Sequence, residues 1–327
     1  MTTMKNKKPL FIGLFIIIAI VIAFFPFNGE KQDNEITIGY SALRISLPVF
    51  VAQEKGFFAD EGLNINLERF DTAQPLMSSL VAGNIPIAGY TALPITYNAM
   101  LRSETELYFV TSMLEDQQHR ISYLIVPTDT SQDFSISDLK GKKIGILPTV
   151  AYKAWIEEIL RKNNVDLSEV EIVQIAPALS PSALESKQVD ALFTNDPAAT
   201  TVLQQKIGRL LSREVEVPKY LGEPFLFGSF NIRKDFADAN PEITKKVISA
   251  MNKAVKFVNS NPTEAKKMMK KYLHESQQPF VDFYPDALYQ PTTEVTTQEF
   301  QDIADQYLEI GIISEALNVE DLVIIKK

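Results

Sequence analysis

The sequence predicts an α/β protein with two lobes that are joined by two crossing segments. Short apolar strands alternate with helix-period segments from Ile36 onward, which is typical of repeated β-α-β units. A turn-rich stretch, Pro127 to Ser137, interrupts the series, which starts again at Lys143. A later apolar strand, Phe225 to Ile232, returns the chain to the first lobe. We therefore expect an N-terminal segment (1–30), a first lobe (31–125 and 225–327) and a second lobe (126–224).

The individual strands are short apolar runs bounded by turn residues. Leu63, Ile65 and Leu67 alternate with polar residues, as expected for a strand with one buried face. Before the return strand, the predicted strands are Ile36–Tyr40, Leu63–Arg69, Ile85–Ala88, Glu106–Thr111, Ile121–Val126, the strand starting at Lys143, Glu171–Ile175 and Ala191–Thr194.

Helix boundaries are marked by glycine, asparagine and proline. The segment Pro48 to Lys55 is predicted to be helical and to end at Gly56 in the left-handed conformation. Asn240 and Asn261 each precede a proline, which predicts two helix starts with an Asn N-cap and Pro at the first position. One helical face after Asn240 is apolar, comprising Ile243, Val247, Ile248, Met251, Val255 and Val258.

The composition is that of a globular protein. The chain has 327 residues, of which 46% are hydrophobic and 22% charged, so it can bury two cores. A net charge of −9 argues against nucleic acid as a partner, because phosphate binding requires a basic surface. The chain contains no cysteine, which excludes disulfides and a lipid-modified N-terminal cysteine.

The N-terminus carries an export signal. An uncharged apolar run from Leu10 to Phe27 follows Lys5, Lys7 and Lys8, so the N-terminus stays in the cytoplasm and the remainder is exported. The run is near the lower limit of about 17 residues for a spanning helix. The residues around Phe27 offer no small-x-small cleavage site, so we favour an uncleaved membrane anchor over a cleaved signal peptide.

Several phrases resemble one family. The run Gln53 to Asn66, QEKGFFADEGLNIN, looks like the solute-binding proteins of ABC importers in the nitrate, sulfonate, taurine and thiamine-precursor group. Further similar phrases follow in the family's order: Ala82–Tyr90, Asp138–Ile146, Leu184–Pro197 and Phe227–Pro241. Pro86 stands where the family often has Asp, and Lys187 replaces a usual Gly, so the subfamily is less well defined than the fold.

The resemblance implies a type II periplasmic-binding-protein fold with a ligand site between the lobes. Open α/β sheets place ligands beyond the carboxyl ends of their strands, where helix N-termini present N–H groups. Four strand-to-helix loops fit this position: Ser41–Pro48, Gly89–Pro94, Pro148–Ala151 and Asn195–Ala198.

Three residues in these loops could bind an anionic group. Arg44 is the only basic residue of the first loop, and the guanidinium fork suits a carboxylate, sulfonate or phosphonate. Thr91 and Thr149 are candidate ligand contacts at helix N-termini, with ordinary helix capping as the favoured alternative for both. Arg120, near the end of a predicted strand, is a further candidate, with a structural or solvated role as its alternative.

Other candidates would shape the pocket. Tyr90, Asn195 and Phe227 could supply an aromatic wall and an orienting polar group. Asp196 stands at the family's acidic position before Pro197, where it could accept a hydrogen bond from an amine or a ring N–H, or simply cap the next helix. Trp155 lies on an apolar helical face, so core packing is its expected role.

No enzyme signature is present in the sequence. There is no Gly-rich phosphate loop, no G-x-S-x-G and no H-E-x-x-H, and the two histidines, His119 and His274, are far apart. We therefore expect neither catalysis, nor a cofactor, nor a metal site.

The expected function is that of an extracytoplasmic, membrane-tethered, monomeric protein that binds a small polar organic solute and delivers it to the permease subunits of an ABC importer. The resemblance implies a sulfonate, a taurine-like compound or a related anion. One alternative is that the solute is a thiamine-precursor pyrimidine. The others are that the protein is a sensory binding module or an enzyme on the same fold.

Overall fold

A computed structural model describes residues 35–324. The predicted N-terminal anchor, Leu10 to Phe27, lies outside the described residues. The strands are β1 Ile36–Ser41, β2 Ile65–Phe70, β3 Ile87–Ala92, β4 Leu107–Glu115, β5 Ser122–Pro127, β6 Lys143–Ile146, β7 Glu171–Gln174, β8 Ala191–Asn195, β9 Gly208–Leu210, β10 Phe225–Arg233 and β11 Leu288–Gln290.

Twelve α-helices occur in the described part of the chain. They are α1 Leu47–Glu54, α2 Phe57–Asp60, α3 Ala73–Val81, α4 Leu93–Ser103, α5 Val150–Lys162, α6 Ser180–Glu185, α7 Ala198–Gln204, α8 Glu216–Leu221, α9 Lys234–Ala239, α10 Pro241–Ser260, α11 Pro262–Met268 and α12 Thr297–Glu309. Short 3-10 turns lie between them at Arg44–Ser46, Ile136–Leu139, Leu167–Glu169, Pro177–Leu179, Met269–Tyr272 and Glu275–Phe283.

The strands form two sheets. The larger has the order β11-β4-β10-β3-β1-β2 and the smaller has the order β7-β6-β8-β5-β9. In the larger sheet β1 is parallel to β2 and β3, and in the smaller β6 is parallel to β7 and β8. Within each parallel group, helices connect consecutive strands, so the carboxyl ends of the strands lie at one edge.

The chain passes between the sheets twice. It leaves the larger sheet after β4, enters the smaller at β5, and returns from β9 to β10. The first crossing segment comprises residues 116–121 and the second residues 211–224. The architecture of two α/β lobes with two crossing segments is the one predicted from the order of strands and helices.

The predicted helix boundaries at Gly56, Asn240 and Asn261 are confirmed, but capping by the two Asn side chains is not. Gly56 has φ of +72°, so it adopts the left-handed conformation expected after the first helix. Helices α10 and α11 begin with Pro at the first position, after Asn240 and Asn261. The Asn side chains donate back to Phe236 O and Phe257 O of the preceding helices instead of capping the new ones.

The predicted third strand was too short. It was expected to end at Ala88, with a loop from Gly89 to Pro94, whereas β3 continues to Ala92 and α4 begins at once. Gly89 is part of the strand because β1 passes close by: a Cβ there would lie 3.2 Å from Gly39 O. This correction moves Tyr90 and Thr91 from the predicted loop into the sheet.

Candidate functional site

A cavity lies between the two sheets, partly open to solvent. On the larger-sheet side, it is bounded by residues that follow β1, β2 and β3, and on the smaller-sheet side by residues at the ends of β6, β7 and β8. This is the position that parallel α/β sheets give their ligands.

The cavity wall is mainly apolar. Asp71 is the only charged side chain in the described lining, and it is exposed. The larger-sheet side contributes Leu43, Ile45, Asp71, Thr72, Ala73, Ala92, Ile95 and Phe227, and the smaller-sheet side contributes Leu147, Pro148, Thr149, Ala151, Tyr152, Pro177 and Asn195.

Two polar groups of this wall are buried beside each other. Asn195, the last residue of β8, is 5% exposed, and its Oδ1 atom accepts no hydrogen bond of normal geometry. Tyr152, in the first turn of α5, is 3% exposed, and its hydroxyl interacts with the Asn195 side chain without a hydrogen bond of normal geometry. Burial raises the pKa of Tyr152 well above its usual value, so the hydroxyl stays protonated and can donate. The two groups therefore keep hydrogen-bonding capacity at the cavity wall.

Three helix N-termini border the cavity, because the N-cap residues Thr72, Ala92 and Thr149 line it. Thr149 caps α5 by accepting from Tyr152 N at 3.2 Å. Neither Thr72 nor Ala92 caps its helix with a side chain, so the first-turn N–H groups of α3 and α4 keep donor capacity. Together these helix ends create a positive potential without a cationic side chain.

A second buried region joins the lobes next to the cavity. Arg44, in the turn after β1, forms an ion pair with Asp196, which follows β8; the distance from Nε to Oδ2 is 3.2 Å and the side chains are 3% and 1% exposed. Burial opposes the charge on Arg44, yet the Asp196 carboxylate raises the pKa of Arg44 above its usual value. Both charges predicted to meet a solute are therefore neutralised by each other in this arrangement.

The remaining hydrogen-bonding capacity of this pair is largely used within the protein. Arg44 donates to the carbonyl oxygens of Pro285 at 2.9 Å and of Arg120. Asp196 accepts from the Tyr123 hydroxyl at 2.9 Å. The pair thus links the first lobe, the second lobe and a crossing segment.

The two crossing segments are also bonded to each other. Arg120 donates to the carbonyl oxygens of Arg213 and Glu214 at 2.9 and 2.8 Å. Gln117 both donates to Val215 O, at 3.2 Å, and accepts from Val215 N, at 2.9 Å. These bonds align the segments about which the lobes would move.

Two buried glutamates complete this region. Glu115 accepts from the backbone and hydroxyl of Ser122, and burial raises its pKa. Glu216 lies 3.5 Å from Arg120, but neither carboxylate oxygen has a hydrogen bond. Burial raises the pKa of Glu216 to about 7, because the attraction of Arg120 is too weak to offset lost hydration. We refer to Arg44, Glu115, Arg120, Asp196 and Glu216 as the junction.

The structure brings three of the eight predicted site residues to the cavity, namely Thr149, Asn195 and Phe227. Phe227 lies on β10 and packs against Trp155, with ring centroids 5.1 Å apart. Trp155 itself is fully buried, as expected for a core residue.

The other five do not line the cavity. Arg44, Arg120 and Asp196 belong to the junction. Tyr90 and Thr91 are buried in β3, where their hydroxyl groups bond to Thr111 and Thr96 at 2.6 and 2.7 Å. Thr91 is not an N-cap, because the longer strand places Ala92 in that position. Contact of these five residues with a solute stays a prediction.

Tyr152 and the loop after β2 also line the cavity but were not predicted as site residues. Tyr152 lies one residue beyond the predicted loop Pro148 to Ala151, and extending that loop into the first helical turn would have included it. Asp71 and Thr72 follow a strand and precede a helix, so the strand-to-helix signal that predicted the other loops also applies to them.

Within residues 35–324, histidine and acidic residues form no cluster of three or more that could hold a metal ion. None of the helices in that part of the chain combines the length and apolarity needed to span a membrane.

Comparisons with solved structures establish the fold. The alkanesulfonate-binding protein of Xanthomonas axonopodis pv. citri, solved bound to MOPS, superposes with a TM-score of 0.70 at 19% identity, covering 89% of this chain and 98% of the other. The periplasmic nitrate-binding protein of Synechocystis gives a TM-score of 0.68 at 14% identity, covering 88% and 84%. The protein therefore has the periplasmic-binding-protein fold, as predicted.

Sequence comparisons point to the same group. The taurine-binding periplasmic protein of Escherichia coli is 25% identical over 244 residues, 74% of this chain and 71% of that protein. A putative aliphatic sulfonates-binding protein of Bacillus subtilis is 25% identical over 272 residues, covering 77% and 76%. A 4-amino-5-hydroxymethyl-2-methylpyrimidine phosphate synthase of Saccharomyces cerevisiae is 24% identical over 241 residues, covering 67% and 65%. The profile of the NMT1-like family matches residues 29–273, and the chain belongs to that family.

Proposed function

We propose that the protein is the extracytoplasmic solute-binding component of an ABC importer, which closes its two lobes over a small organic solute and presents the closed form to the permease. The observation that carries the proposal is the cavity, in which both lobes contribute residues from the carboxyl ends of their parallel strands. The names of the taurine- and sulfonate-binding relatives support it.

A solute that contacts both lobes would favour the closed form, which the permease would recognise. A ligand can shift the balance between open and closed lobes only by its difference in affinity for the two forms. Thr149, Asn195 and Tyr152 from the smaller-sheet side and Phe227, Ile45 and Ile95 from the larger-sheet side would contact one molecule together. Only the closed form offers both sets at once.

A sulfonate, a taurine-like compound or a related anion is the solute class that we propose first. Its anionic group would bind to the N–H groups of the three bordering helices, as anions do at helix N-termini. A pyrimidine is the second candidate, because the apolar wall with Phe227 suits a flat ring and one relative is a pyrimidine synthase. We propose binding without turnover for either class.

A variant with a blocked cavity tests the function. Thr72 is half-buried, lines the cavity and makes no side-chain cap, so Thr72→Trp fills the space without removing a hydrogen bond that the structure shows. Mass spectrometry of the purified full-length protein should find a co-purified solute that the variant lacks. Thr105→Trp, at a half-buried threonine between α4 and β4, is the matched control and should retain it.

Two results of the same experiment would contradict the proposal. Equal solute content in Thr72→Trp and in the unsubstituted protein would mean that the cavity is not the binding site. Conversion of the bound solute into a product by the purified protein would assign the protein to an enzyme class.

We further propose that the protein is monomeric, works outside the cytoplasm and stays attached to the membrane by the uncleaved segment from Leu10 to Phe27. The full-length protein should sediment with membranes and resist salt extraction. A mature N-terminus near Asn28 would contradict the anchor but not the export.

A further inference from the structure

The junction contains more buried carboxylates than buried cations. Arg44 and Asp196 neutralise each other, which leaves the single guanidinium of Arg120 to interact with both Glu115 and Glu216. Glu115 is 0% exposed, Glu216 1% and Arg120 9%. Burying an uncompensated charge is strongly unfavourable, so the junction requires one more positive charge than its own side chains supply.

A proton on Glu216 would supply this charge. We infer that Glu216 carries a proton while the lobes are closed and releases it when they open, so that acidification favours the closed form. The inference rests on the proposed function, because it concerns the same closure of the lobes. It adds a control of closure that does not involve the cavity.

Hydrogen bonding selects Glu216 over Glu115 as the site of the proton. Glu115 Oε1 accepts from Ile121 N at 2.7 Å and from the N–H and hydroxyl of Ser122 at 2.5 and 2.7 Å, and three donors favour the ionised form. Neither carboxylate oxygen of Glu216 accepts a hydrogen bond from another residue, and its ion pair with Arg120 is long, at 3.5 Å. Burial therefore prevails at Glu216 and raises its pKa to about 7.

Other titratable groups around Glu216 do not supply the missing charge. Helix α8 packs against α5, β5 and β10. Burial raises the pKa of Tyr123 on β5 and of Tyr152 on α5 well above the usual value, so both hydroxyl groups stay neutral. Among the described residues, the charged groups on and around α8 have other partners: Lys219 with Glu214, Glu158 with Arg161 and Lys162, Arg233 with Asp235, and Asp138 with Ser135.

The three groups lie where lobe movement would occur. Glu115 is the last residue of β4 in the first lobe, Arg120 belongs to the first crossing segment, and Glu216 belongs to the second. Lobes that turn about these segments change how the segments pack against each other. The proton is therefore bound at the hinge.

Glu216 is also close to water. It lines a solvent-open cavity of the second lobe, whose other lining residues include Ser135, Ser212, Lys219 and Tyr220. A small displacement of the second crossing segment would hydrate the carboxylate, which returns its pKa toward the usual value. The open form thus binds the proton less tightly than the closed form.

Proton linkage sets the direction of the pH effect. Since the closed form has the higher pKa, closure is favoured at low pH, and this advantage is lost as the pH rises through about 7. One proton changes the ratio of closed to open forms by at most about tenfold per pH unit.

Single-molecule Förster transfer between two dyes tests the inference. The chain has no cysteine, so Ser78→Cys on α3 and Glu185→Cys on α6 place one dye on each lobe, at exposed positions of helices that follow cavity-lining loops. The full-length protein is measured in lipid nanodiscs after dialysis to remove bound solute. We expect the ratio of closed to open forms to fall by at least about tenfold between pH 5.5 and 8.5.

Two variants isolate the contribution of Glu216. Glu216→Gln keeps the shape and stays neutral, so its ratio should remain at the low-pH value throughout. Glu214→Gln is the matched control, because Glu214 is exposed, lines the same open cavity and lies two residues away. This control should show the full pH dependence.

Three outcomes would overturn the inference: a ratio that does not change with pH, a ratio that rises with pH, and a pH dependence that survives in Glu216→Gln. Replacing sodium chloride by choline chloride at constant ionic strength distinguishes a proton from a bound metal cation. A ratio that follows sodium at fixed pH would also overturn it. The measurement uses no solute, so a pH-independent ratio alongside a co-purified solute that Thr72→Trp lacks would overturn the inference alone.

Discussion

The cavity and the junction lie side by side between the same two lobes, but they differ in how well their buried polar groups are hydrogen-bonded. In the junction, Arg44 and Asp196 face each other at 3.2 Å, and other protein groups fill most of their remaining hydrogen-bonding capacity. In the cavity, Asn195 and Tyr152 are as deeply buried, but they lie beside each other without a hydrogen bond of normal geometry. The comparison teaches that burial alone does not identify a ligand contact, because unused hydrogen-bonding capacity is also required.

The difference assigns separate roles to the two regions. The junction joins the β1 turn, the β8 end and the crossing segments, so its interactions stabilise the arrangement of the lobes. The cavity contributes little to stability, because Asn195 and Tyr152 lose hydration on folding without forming a hydrogen bond of normal geometry. Substitutions should therefore separate stability from affinity.

The largest effect is expected for Arg44→Met. Removing one member of a buried ion pair leaves the Asp196 carboxylate without its main partner, which should lower the free energy of unfolding by about 3–5 kcal/mol. Chemical denaturation measures the change. Arg102→Met, at an exposed position of α4, is the control and should stay within about 0.5 kcal/mol of the unsubstituted protein. Equal stability of the two variants would show that the junction does not hold the lobes together.

The next effect concerns pH. Burial raises the pKa of Glu216 from 4.5 to about 7 on folding, and the nearby Glu115 carboxylate also raises it. The attraction of Arg120 and Lys219 lowers this pKa but does not offset the effect of burial. Between these values the folded protein binds the proton more tightly than the unfolded chain, so the stabilising contribution is complete below pH 4.5 and is lost as the pH rises through 7. The loss amounts to about 3 kcal/mol at most.

Glu216→Gln should flatten this dependence. Unfolding free energies of the variant measured between pH 5 and 8 should fall less steeply than those of the unsubstituted protein. Glu185→Gln, at an exposed position of α6, should leave the profile unchanged. Parallel profiles for Glu216→Gln and the unsubstituted protein would exclude Glu216 as the source.

The smallest effect is expected in the cavity. Tyr152→Phe removes a buried hydroxyl that makes no hydrogen bond of normal geometry, so stability should fall little, while solute affinity should weaken by about 0.5–1.5 kcal/mol, the usual contribution of a hydrogen bond. Tyr284→Phe, which removes a buried hydroxyl outside the cavity that has no hydrogen bond, is the matched control for affinity. A loss of stability in Tyr152→Phe without any change in affinity would reverse the roles of the two regions.

The fold was predictable because its signals are local. Gly56 and the Asn-Pro pairs at Asn240 and Asn261 mark helix ends, and short apolar runs mark the strands. The error at β3 arose because glycine also occurs inside strands where two backbones approach closely, as Gly89 does beside Gly39. That approach depends on sheet pairing, which a local pattern does not contain.

The site was only partly predictable for a related reason. The loops that border the cavity follow from the order of strand and helix, so Thr149 and Asn195 were identified. Arg44 and Asp196 are distant in sequence but form an ion pair with each other. Either side chain alone could have bound a charged group of a solute instead. Residue type indicates what a side chain can bind, whereas its actual partner depends on tertiary structure.

The most direct test of these separate roles is the solute affinity of the double variant Arg44→Met, Asp196→Leu. Replacing a buried ion pair by apolar residues of similar size is often tolerated, so the variant should fold and the junction should stay packed. Titration calorimetry with the co-purified solute should give an affinity within about threefold of the unsubstituted protein, since about 0.7 kcal/mol or less is at stake. A folded double variant that has lost more than about a hundredfold in affinity, or about 2.7 kcal/mol, would contradict the account and place Arg44 or Asp196 in contact with the solute.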